Sequence, residues 1–282
     1  MLEEEELAPT YEVYFTGCSL RCRFCSMDQA IQAPNVGEWV PPAALAEDIL
    51  GGDHPPFRSI AFVGGDPTVN LPYLRALVPE LRARDATVPL VLNTHLYLNP
   101  ARVPEVSEWI DTVVGDLHFW TSDCARSVAA TPDYPEVARA CAEAFLDQGS
   151  ALILRVLVLP GHLDCCARPS IDWVARLSRR FPEQVRLHVM THYAPLGRAR
   201  GHAVLGRMLT DEERERVRSW VPEDVGSLAR AQPPSGACSG RDPDVPIEID
   251  TQGRVHFPLV TGAVLPLVQS LDSAHGPSRR ER

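Results

Sequence analysis

The sequence predicts an α/β fold in which six parallel strands alternate with helices. Short apolar runs recur along residues 11–193, and the segments between them have apolar residues at helical spacing. The runs are apolar on both faces, as in a parallel sheet covered by helices. Apolar residues make up 45% of the 282 residues, which is enough for a sizeable core. Six units are too few for a closed eight-stranded barrel, so they favour an open barrel or a doubly wound sheet.

The elements follow one another along the chain in a regular order. The predicted strands cover residues 11–15, 59–63, 88–94, 111–119, 151–161 and 185–193. The predicted helices cover residues 41–50, 71–85, 101–110, 134–149, 170–181 and 210–221. Ser170 is expected to cap the fifth helix, and Thr210 with Glu213 is expected to form a capping box on the sixth. In parallel α/β folds, the residues that carry chemistry follow the carboxyl ends of the strands.

After residue 222 the pattern weakens, and Pro, Gly and Ser dominate. Residues 247–259 are expected to form a hairpin that turns at Gln252 and Gly253. The predicted domains are a barrel over 1–222, a C-terminal extension over 223–270 and a disordered tail over 271–282.

The composition excludes several function classes. The formal net charge of −10 argues against a broad surface for nucleic acid or anionic membranes. No apolar run approaches the ~18–20 residues of a membrane helix, and the acidic start is unlike a secretory signal. We therefore expect a soluble, cytoplasmic protein. The chain contains no lysine, which excludes a lysine Schiff base and a P-loop lysine.

Three of the eight cysteines lie close together, directly after the first predicted strand. Cys18, Cys22 and Cys25 are spaced by four and then three residues. Thiolates at this spacing predict a metal site, but a zinc site or a ferredoxin-type cluster normally has four protein ligands. The residues leave three possibilities open: zinc with a remote fourth ligand, reduced structural cysteines, or an iron–sulfur cluster that lacks one protein ligand.

The segment Cys18-SLR-Cys22-RF-Cys25 resembles the signature of the radical S-adenosylmethionine (SAM) enzymes. The resemblance implies a partial (β/α)6 TIM-type barrel with a short C-terminal extension. It also implies that the three cysteines hold a [4Fe–4S] cluster whose fourth iron binds SAM. Reductive cleavage of SAM then yields a 5′-deoxyadenosyl radical that abstracts hydrogen from a substrate.

Further segments resemble this family, and in particular the subgroup of the pyruvate formate-lyase activating enzyme. Residues 64–67, Gly-Gly-Asp-Pro, resemble the family's Gly-Gly-Glu-Pro motif with a shorter acid. Residues 91–97, 116–118, 154–163 and 189–195 resemble segments that follow later strands in the subgroup. The SAM-binding residues that the resemblance implies are Phe24, Gly64, Gly65, Asp66, Pro67, Asn93, Thr94, Asp116 and Arg155.

The candidate catalytic residues lie at or just after the carboxyl ends of the fourth, fifth and sixth predicted strands. They are His118, Cys165, Cys166, His192 and Tyr193. The two histidines stand where the subgroup has lysine and glutamine, and an unperturbed histidine side chain titrates near neutrality. A thiol of Cys165 or Cys166 could return a hydrogen atom to a substrate radical, or bind a second cluster.

Structural roles stay open for the same positions. Arg155 could be a paired core arginine, Asp116 a turn residue, and His95, His118 and His192 ordinary hydrogen-bonded histidines. Cys165 and Cys166 could be plain loop cysteines. Arg198 or Arg200 is a candidate to pair an anionic substrate.

These observations predict a radical SAM enzyme that acts on a small polar molecule in a biosynthetic pathway. Flavodoxin or ferredoxin is the expected electron donor, and neither nucleic acid nor membrane is an expected partner. The alternatives are an activase for a glycyl-radical enzyme, a peptide-modifying radical SAM enzyme and a non-catalytic iron–sulfur or zinc protein. Residues 236–258 resemble a degraded cysteine-rich domain that keeps Cys238, so we expect no complete auxiliary cluster there.

Overall fold

The computed structural model describes residues 7–27 and 37–228, together with four two-residue strands between 248 and 268. The six predicted strands are β1 (Thr10–Phe15), β2 (Ser59–Gly64), β3 (Leu90–Thr94), β4 (Thr112–Leu117), β5 (Ala151–Leu157) and β6 (Val185–Met190). They pair in parallel and in chain order. The predicted α/β fold with an open, barrel-like sheet is confirmed.

Five short strands follow in the described part of the chain: two extend this sheet at its edges, and three form a separate antiparallel sheet. They are β7 (Gly226–Leu228), β8 (Glu248–Ile249), β9 (Val255–His256), β10 (Val264–Leu265) and β11 (Leu267–Val268). β7 pairs in parallel with β6, and β11 pairs in parallel with β1. β8 and β9 pair antiparallel where the hairpin is predicted. The predicted turn at Gln252 and Gly253, Cys238 and the predicted tail lie outside the described residues.

Helices connect the strands. They are α1 (Pro42–Gly51), α2 (Leu71–Arg84), α3 (Val103–Ser107), α4 (Ser122–Ala129), α5 (Tyr134–Asp147), α6 (Arg168–Arg180) and α7 (Asp211–Arg218). The capping box of Thr210 and Glu213 on α7 is confirmed. The predicted cap at Ser170 is wrong, because a π-helical turn over Leu163–Ala167 leads directly into α6 and leaves Ser170 inside it. None of the helices in the described part of the chain combines the length and the hydropathy of a membrane span.

The two faces of the sheet are packed differently. Alternate residues such as Phe62, Leu92 and Leu154 belong to a large core between the sheet and its helices. The intervening residues, which include Val91 and Val114, form a small second cluster on the opposite face. Strand side chains alternate between the faces, so this small cluster lies on the face turned away from the large core, here called the inner face.

The inner face becomes polar towards the carboxyl ends of the strands. The residues two positions after Val91, Val114 and Ile153 share their face and are Asn93, Asp116 and Arg155. Asp116 lies directly opposite Arg155 in the pairing of β4 with β5. An apolar layer therefore supports a polar one at the end of the sheet where chemistry is expected.

The ends of β1 and β2 approach each other very closely. Gly64 has φ +118°, and a side chain there would overlap the backbone of Phe15. Gly65 donates a backbone hydrogen bond to the carbonyl of Phe15 at 2.9 Å, and Asp66 donates one to Gly17 at 2.9 Å. These contacts define where the chain leaves β1.

We expect Gly64→Ala to destabilise the protein by at least ~3 kcal/mol, because it combines an unfavourable φ with a backbone collision. Gly149→Ala is the matched control, since Gly149 has φ +81° but open space around it. The control should lose about 1–2 kcal/mol. Denaturant unfolding measures both values, and equal losses would show that the approach of β1 and β2 is not tight.

Candidate functional site

The loop that carries Cys18, Cys22 and Cys25 is held from several sides. Asn70 donates a side-chain hydrogen bond to the carbonyl of Thr16 at 3.0 Å, which fixes the start of the loop. The side chain of Arg21 donates a hydrogen bond to the carbonyl of Cys18 at 2.7 Å. The loop is therefore anchored where it leaves β1 and is also braced internally.

The carboxyl end of α4 provides the next anchor. The backbone N–H groups of Arg21 and Arg23 donate to the carbonyls of Ala129 and Val128 at 3.1 and 3.0 Å. The side chain of Arg23 donates to Ser127 at 3.1 Å. The last carbonyls of a helix have no hydrogen-bond partner within the helix. The cysteine loop supplies the donors for these carbonyls, and the same hydrogen bonds hold the loop in place.

The segment after β6 closes over the other side of the loop. A side chain at Gly197 would overlap the carbonyl oxygen of Cys25, so only glycine allows this approach. Arg198 donates to the carbonyl of Arg21 at 2.8 Å. The guanidinium that was a candidate for an anionic substrate thus contacts the cysteine loop.

The three thiols of the loop influence one another. Cys22 is buried, and its pKa is raised well above the ordinary value by burial and then by the negative charges of Cys18 and Cys25. The sulfur of Cys18 accepts a hydrogen bond from the N–H of Leu20 and lies 3.4 Å from Nε2 of His95. Three thiolates so placed repel one another, and bound metal cations would stabilise them.

A pair of histidines lies between the cysteine loop and the sheet. Nδ1 of His95 is 3.1 Å from Nε2 of His118, whose ring stacks on Tyr134. Burial lowers the pKa of His95, but its hydrogen bond to Cys18 and the charge of Cys18 raise it more, to about 9. Burial and the charge of His95 lower the pKa of His118 to about 3. His118 is therefore neutral at pH 7.

The polar layer of the sheet contains a buried ion pair. Nε and Nη2 of Arg155 donate to the two carboxylate oxygens of Asp116 at 2.6 and 2.8 Å, and Nη2 also donates to Oδ1 of Asn93 at 2.9 Å. Burial raises the pKa of Asp116, but the charge and the hydrogen bonds of Arg155 lower it more, to below its ordinary value. The two residues are thus held rigidly and neutralise each other.

The carboxylate of Asp66 is fully buried and joins the ends of β2 and β3. It accepts hydrogen bonds from the backbone and hydroxyl of Thr68 at 2.9 and 2.7 Å. It also accepts from the hydroxyl of Thr94 at 2.9 Å and from the N–H of His95 at 3.1 Å. Asp66 therefore orients His95, and Pro67 begins the short 3-10 helix that follows it.

Phe24 forms an aromatic wall beside the histidines. Its ring makes edge contacts with His118 and Tyr193, at centroid distances of 5.5 and 6.1 Å, and a tilted contact with Phe119. The hydroxyl of the buried Tyr193 donates to the carbonyl of Leu205 at 2.8 Å. The structure thus brings Phe24, His118 and Tyr193 together beside the cysteine loop. His192 is the neighbour of Tyr193 at the end of β6.

Cys165 and Cys166 form a different group. Their sulfurs lie with those of Cys124 and with a nitrogen of His162, and all four atoms are within 4.8 Å of one another. Neither Cys124 nor His162 was predicted as a site residue. The spacing His-x-x-Cys-Cys over 162–166 could have predicted that the histidine and the two cysteines lie on one face of a helical turn. His95 was also missed as a site residue, although it directly follows Asn93 and Thr94.

Comparison with known proteins identifies the family. The model of the radical SAM superfamily matches residues 13–174, which is more than half of the chain. The chain belongs to the radical SAM superfamily. The cofactors that this membership implies are a [4Fe–4S] cluster and SAM.

A curated relative and several solved structures are similar to it. The uncharacterized protein MJ0674 of Methanocaldococcus jannaschii is 28% identical over 223 residues, which cover 76% of this chain and 62% of that protein. This chain therefore spans less than two thirds of the relative's length.

Among solved structures, Streptococcus suis SuiB bound to SAM aligns with a TM-score of 0.54 and 14% identity, over 75% of this chain and 46% of SuiB. The hydrogenase maturase HydG of Carboxydothermus hydrogenoformans aligns with a TM-score of 0.53 and 15% identity, over 74% and 49% of the two chains. The enzyme anSMEcpe with bound AdoMet and Cp18Cys peptide aligns with a TM-score of 0.52 and 15% identity, over 74% and 56%. These likenesses show the shared fold.

The residues present fit the cofactors of the family. Three buried side-chain atoms in the described part of the chain have no hydrogen-bond partner: Oγ of Ser19, Oδ1 of Asn70 and Nδ1 of His118. Ser19 is in the cysteine loop, Asn70 anchors that loop, and His118 contacts Phe24 within it. Buried polar atoms rarely lack partners, so this grouping indicates a ligand-binding region around the cysteines.

We expect Asp116→Asn to cost about 3–5 kcal/mol in unfolding free energy, because it leaves the charge of Arg155 buried without its ion-pair partner. The matched control is Asp224→Asn, whose partner Arg179 is 51% exposed and which is itself 62% exposed. That exposed pair should contribute at most ~1 kcal/mol.

The same pair predicts a pH dependence. The folded pKa of Asp116 is lowered, so its contribution is present above the unfolded carboxyl pKa of about 3.9 and is lost as pH falls through the folded value. The wild type should therefore lose more stability than Asp116→Asn below that pH. Denaturant titrations at several pH values measure this difference, and parallel pH profiles would contradict it.

Proposed function

We propose that Cys18, Cys22 and Cys25 bind the [4Fe–4S] cluster and that SAM binds beside them, over the carboxyl ends of β2 to β5. When bound together, the cluster and SAM supply a 5′-deoxyadenosyl radical that takes a hydrogen atom from the substrate. The observation that carries the proposal is the convergence of three thiols on a loop anchored to β1, α4 and the Gly197 segment. A site with three protein thiolates leaves one position for a small molecule, like the open position of a catalytic zinc.

The surrounding residues have distinct roles in this proposal. Phe24 provides an apolar surface for the adenine, supported by the rings of Phe119 and Tyr193. The backbone of Gly64 and Gly65 allows the methionine part of SAM to approach closely. His118 is neutral, and its unpartnered Nδ1 is available to hydrogen-bond a ligand. These are the groups that would orient SAM and the substrate.

Asp66 and Arg155 act as positioning residues in the proposal. The hydrogen bonds of Asp66 hold Thr94 and His95 in place, and Arg155 holds Asp116 and Asn93. Their buried polar contacts keep the end of the sheet rigid, so that side chains facing the ligand need little reorganisation. The contacts of the methionine ammonium and carboxylate with Asp66 and Arg155, which the resemblance implies, stay a prediction.

We propose a small polar molecule as the substrate. The supporting observation is the enclosed polar layer of Asn93, Asp116 and Arg155 with His95 and His118 above it. Buried, paired charges and histidines can bind a polar molecule while the apolar layer below excludes water. His192 and Tyr193 would line the same mouth, and flavodoxin or ferredoxin is the proposed electron donor.

A peptide or protein substrate is the second candidate. SuiB has been solved bound to the precursor peptide SuiA, and anSMEcpe has been solved with the Cp18Cys peptide. Both share this fold, although this chain spans only about half of their length. A glycyl-radical partner protein belongs to the same alternative.

Cys22→Ala should abolish the formation of 5′-deoxyadenosine, because the cluster loses one of its three thiolates and the reduction of SAM depends on the cluster. The measurement is deoxyadenosine release by chromatography after anaerobic reconstitution with iron and sulfide, with dithionite as the reductant. Cys141→Ala is the matched control, since Cys141 is a buried cysteine that donates to the carbonyl of Leu98, away from this loop. Cleavage of SAM by Cys22→Ala at the wild-type rate would overturn the proposal.

The substrate class can be tested with the reconstituted wild type and fractionated cell extract. Stimulation of deoxyadenosine release by the dialysable fraction supports a small molecule. Stimulation confined to the retained fraction, and lost after protease treatment, would instead support a peptide or a partner protein. In both cases deuterium transfer from labelled substrate into deoxyadenosine would identify the hydrogen that is removed.

A further inference from the structure

A second group of metal-ligating side chains lies apart from the cysteine loop. It consists of Cys124, His162, Cys165 and Cys166, which we call the Cys3His group. Cys124 belongs to α4. Cys165 and Cys166 belong to the π-helical turn after β5, and His162 directly precedes that turn. Cys166 is buried, and the other three are partly buried. The fold thus brings Cys124 together with three residues that lie 38 or more positions later in the chain.

The local backbone explains how the four ligand atoms converge. The N–H groups of Cys166 and Ala167 both donate to the carbonyl of His162 at 3.1 Å, which forms the turn. Residues three and four apart on such a turn lie on one side, so His162 faces the same way as Cys165 and Cys166. Thr121 caps α4 by accepting from the N–H of Cys124 at 3.3 Å, and this presents Cys124 to the turn.

The separations among the ligand atoms of Cys124, Cys165 and His162 are close to those around a single tetrahedral ion. The sulfurs of Cys124 and Cys165 are 3.5 Å apart. Nδ1 of His162 is 3.3 Å from the sulfur of Cys124 and 3.7 Å from that of Cys165. Tetrahedral zinc with bonds of 2.3 Å to sulfur and 2.0–2.1 Å to nitrogen places sulfurs about 3.8 Å apart, and sulfur and nitrogen about 3.6 Å apart. The thiolates of a [4Fe–4S] cluster sit on separate irons and must be spread more widely.

We propose that Cys124, His162, Cys165 and Cys166 bind one Zn²⁺ ion as a structural Cys3His site. Four protein ligands complete the tetrahedron, which is the arrangement of a structural rather than a catalytic zinc site. Binding displaces the protons of the three thiols and leaves the metal–ligand unit with a net charge of −1. No oxidation or reduction is involved.

Burial disfavours free thiolates in the Cys3His group. Burial and the neighbouring Cys124 raise the pKa of Cys165, and burial raises that of Cys166 further. Burial and the charge of His202 lower the pKa of His162, and the neutral imidazole is the form that binds a metal. Without a cation, three thiols at this spacing would resist joint ionisation.

The zinc site has a structural consequence for the cysteine loop. The ion would tie α4 to the turn after β5, and the carboxyl end of α4 provides the carbonyls that hold Arg21 and Arg23. The zinc ion would thus stabilise the position of α4, which anchors the cysteine loop. Thiolates that ligate zinc cannot return hydrogen atoms, so this proposal replaces the hydrogen-donor role considered for Cys165 and Cys166.

The test uses the full chain after anaerobic reconstitution, with zinc and iron measured by plasma mass spectrometry. We expect about one zinc and about four irons per chain. Cys165→Ala combined with Cys166→Ala should reduce zinc at least tenfold and leave iron unchanged. Cys18→Ala combined with Cys22→Ala and Cys25→Ala should remove iron and leave zinc. Cys141→Ala is the matched control and should change neither metal.

A measurement on the wild type keeps the test independent of variant folding. X-ray absorption at the zinc edge should show three sulfur neighbours near 2.3 Å and one nitrogen near 2.0–2.1 Å. Three results would overturn the proposal: iron near eight per chain that falls to about four in the Cys165 and Cys166 variant, zinc that is lost only with the Cys18 loop variant, or a metal-free Cys124–Cys165 disulfide. Failure of the zinc prediction would leave the assignment of the cysteine loop intact, because that rests on iron content and deoxyadenosine release.

Discussion

The close contact between the ends of β1 and β2 is the constraint on which the site depends. Gly64 lies against the backbone of Phe15, and the hydrogen bonds from Gly65 and Asp66 follow from that contact. They fix the direction in which the chain leaves β1 and therefore where Cys18 begins the cysteine loop. The same constraint buries Asp66, whose carboxylate then joins β2 to β3 and orients His95. A small change at Gly64 would thus propagate to the metal-binding loop and to the histidines.

Buried charge is managed by pairing within the polar layer of the sheet. Asp116 and Arg155 neutralise each other, and Asn93 satisfies a further donor of the guanidinium. His118 remains neutral beside His95, which avoids two adjacent positive charges. Such a network is stable only when its polar atoms are satisfied, and Nδ1 of His118 has no partner within the described residues. The network therefore both stiffens the sheet and defines the ligand-facing groups.

The short helix α4 links the two metal-ligating groups. Its first turn contributes Cys124 to the Cys3His group, and its last turn provides carbonyls to the cysteine loop. Because the helix has eight residues, its position depends on its contacts at both ends more than on its own helical stability. A structural ion at one end is a physical means of holding a loop that must bind a cluster at the other.

Local pattern was sufficient to predict much of this protein. The apolar periodicity of the six strands and the helices between them depends on near neighbours in the chain, and so does the spacing of Cys18, Cys22 and Cys25. The alternation of strands and helices could therefore be expected from the sequence, while the family, the cofactors and a partial barrel were implied by the resemblance of the cysteine segment to the radical SAM signature. The helix α4 was not predicted because it is short. The predicted helix start at Ser170 was wrong because the π-helical turn before α6 depends on packing.

Contacts across the sheet could not be predicted in the same way. The pairing of Asp116 with Arg155 requires the register of β4 and β5, and the contact of His95 with Cys18 joins residues 77 positions apart. The Cys3His group joins α4 to a turn 38 positions later. Sequence by itself determined which residues can ionise or bind metal and which strands carry them. Tertiary structure decided which of those groups lie in contact. The burial of each group and its distance from the others then determine its pKa and the ligand it can bind.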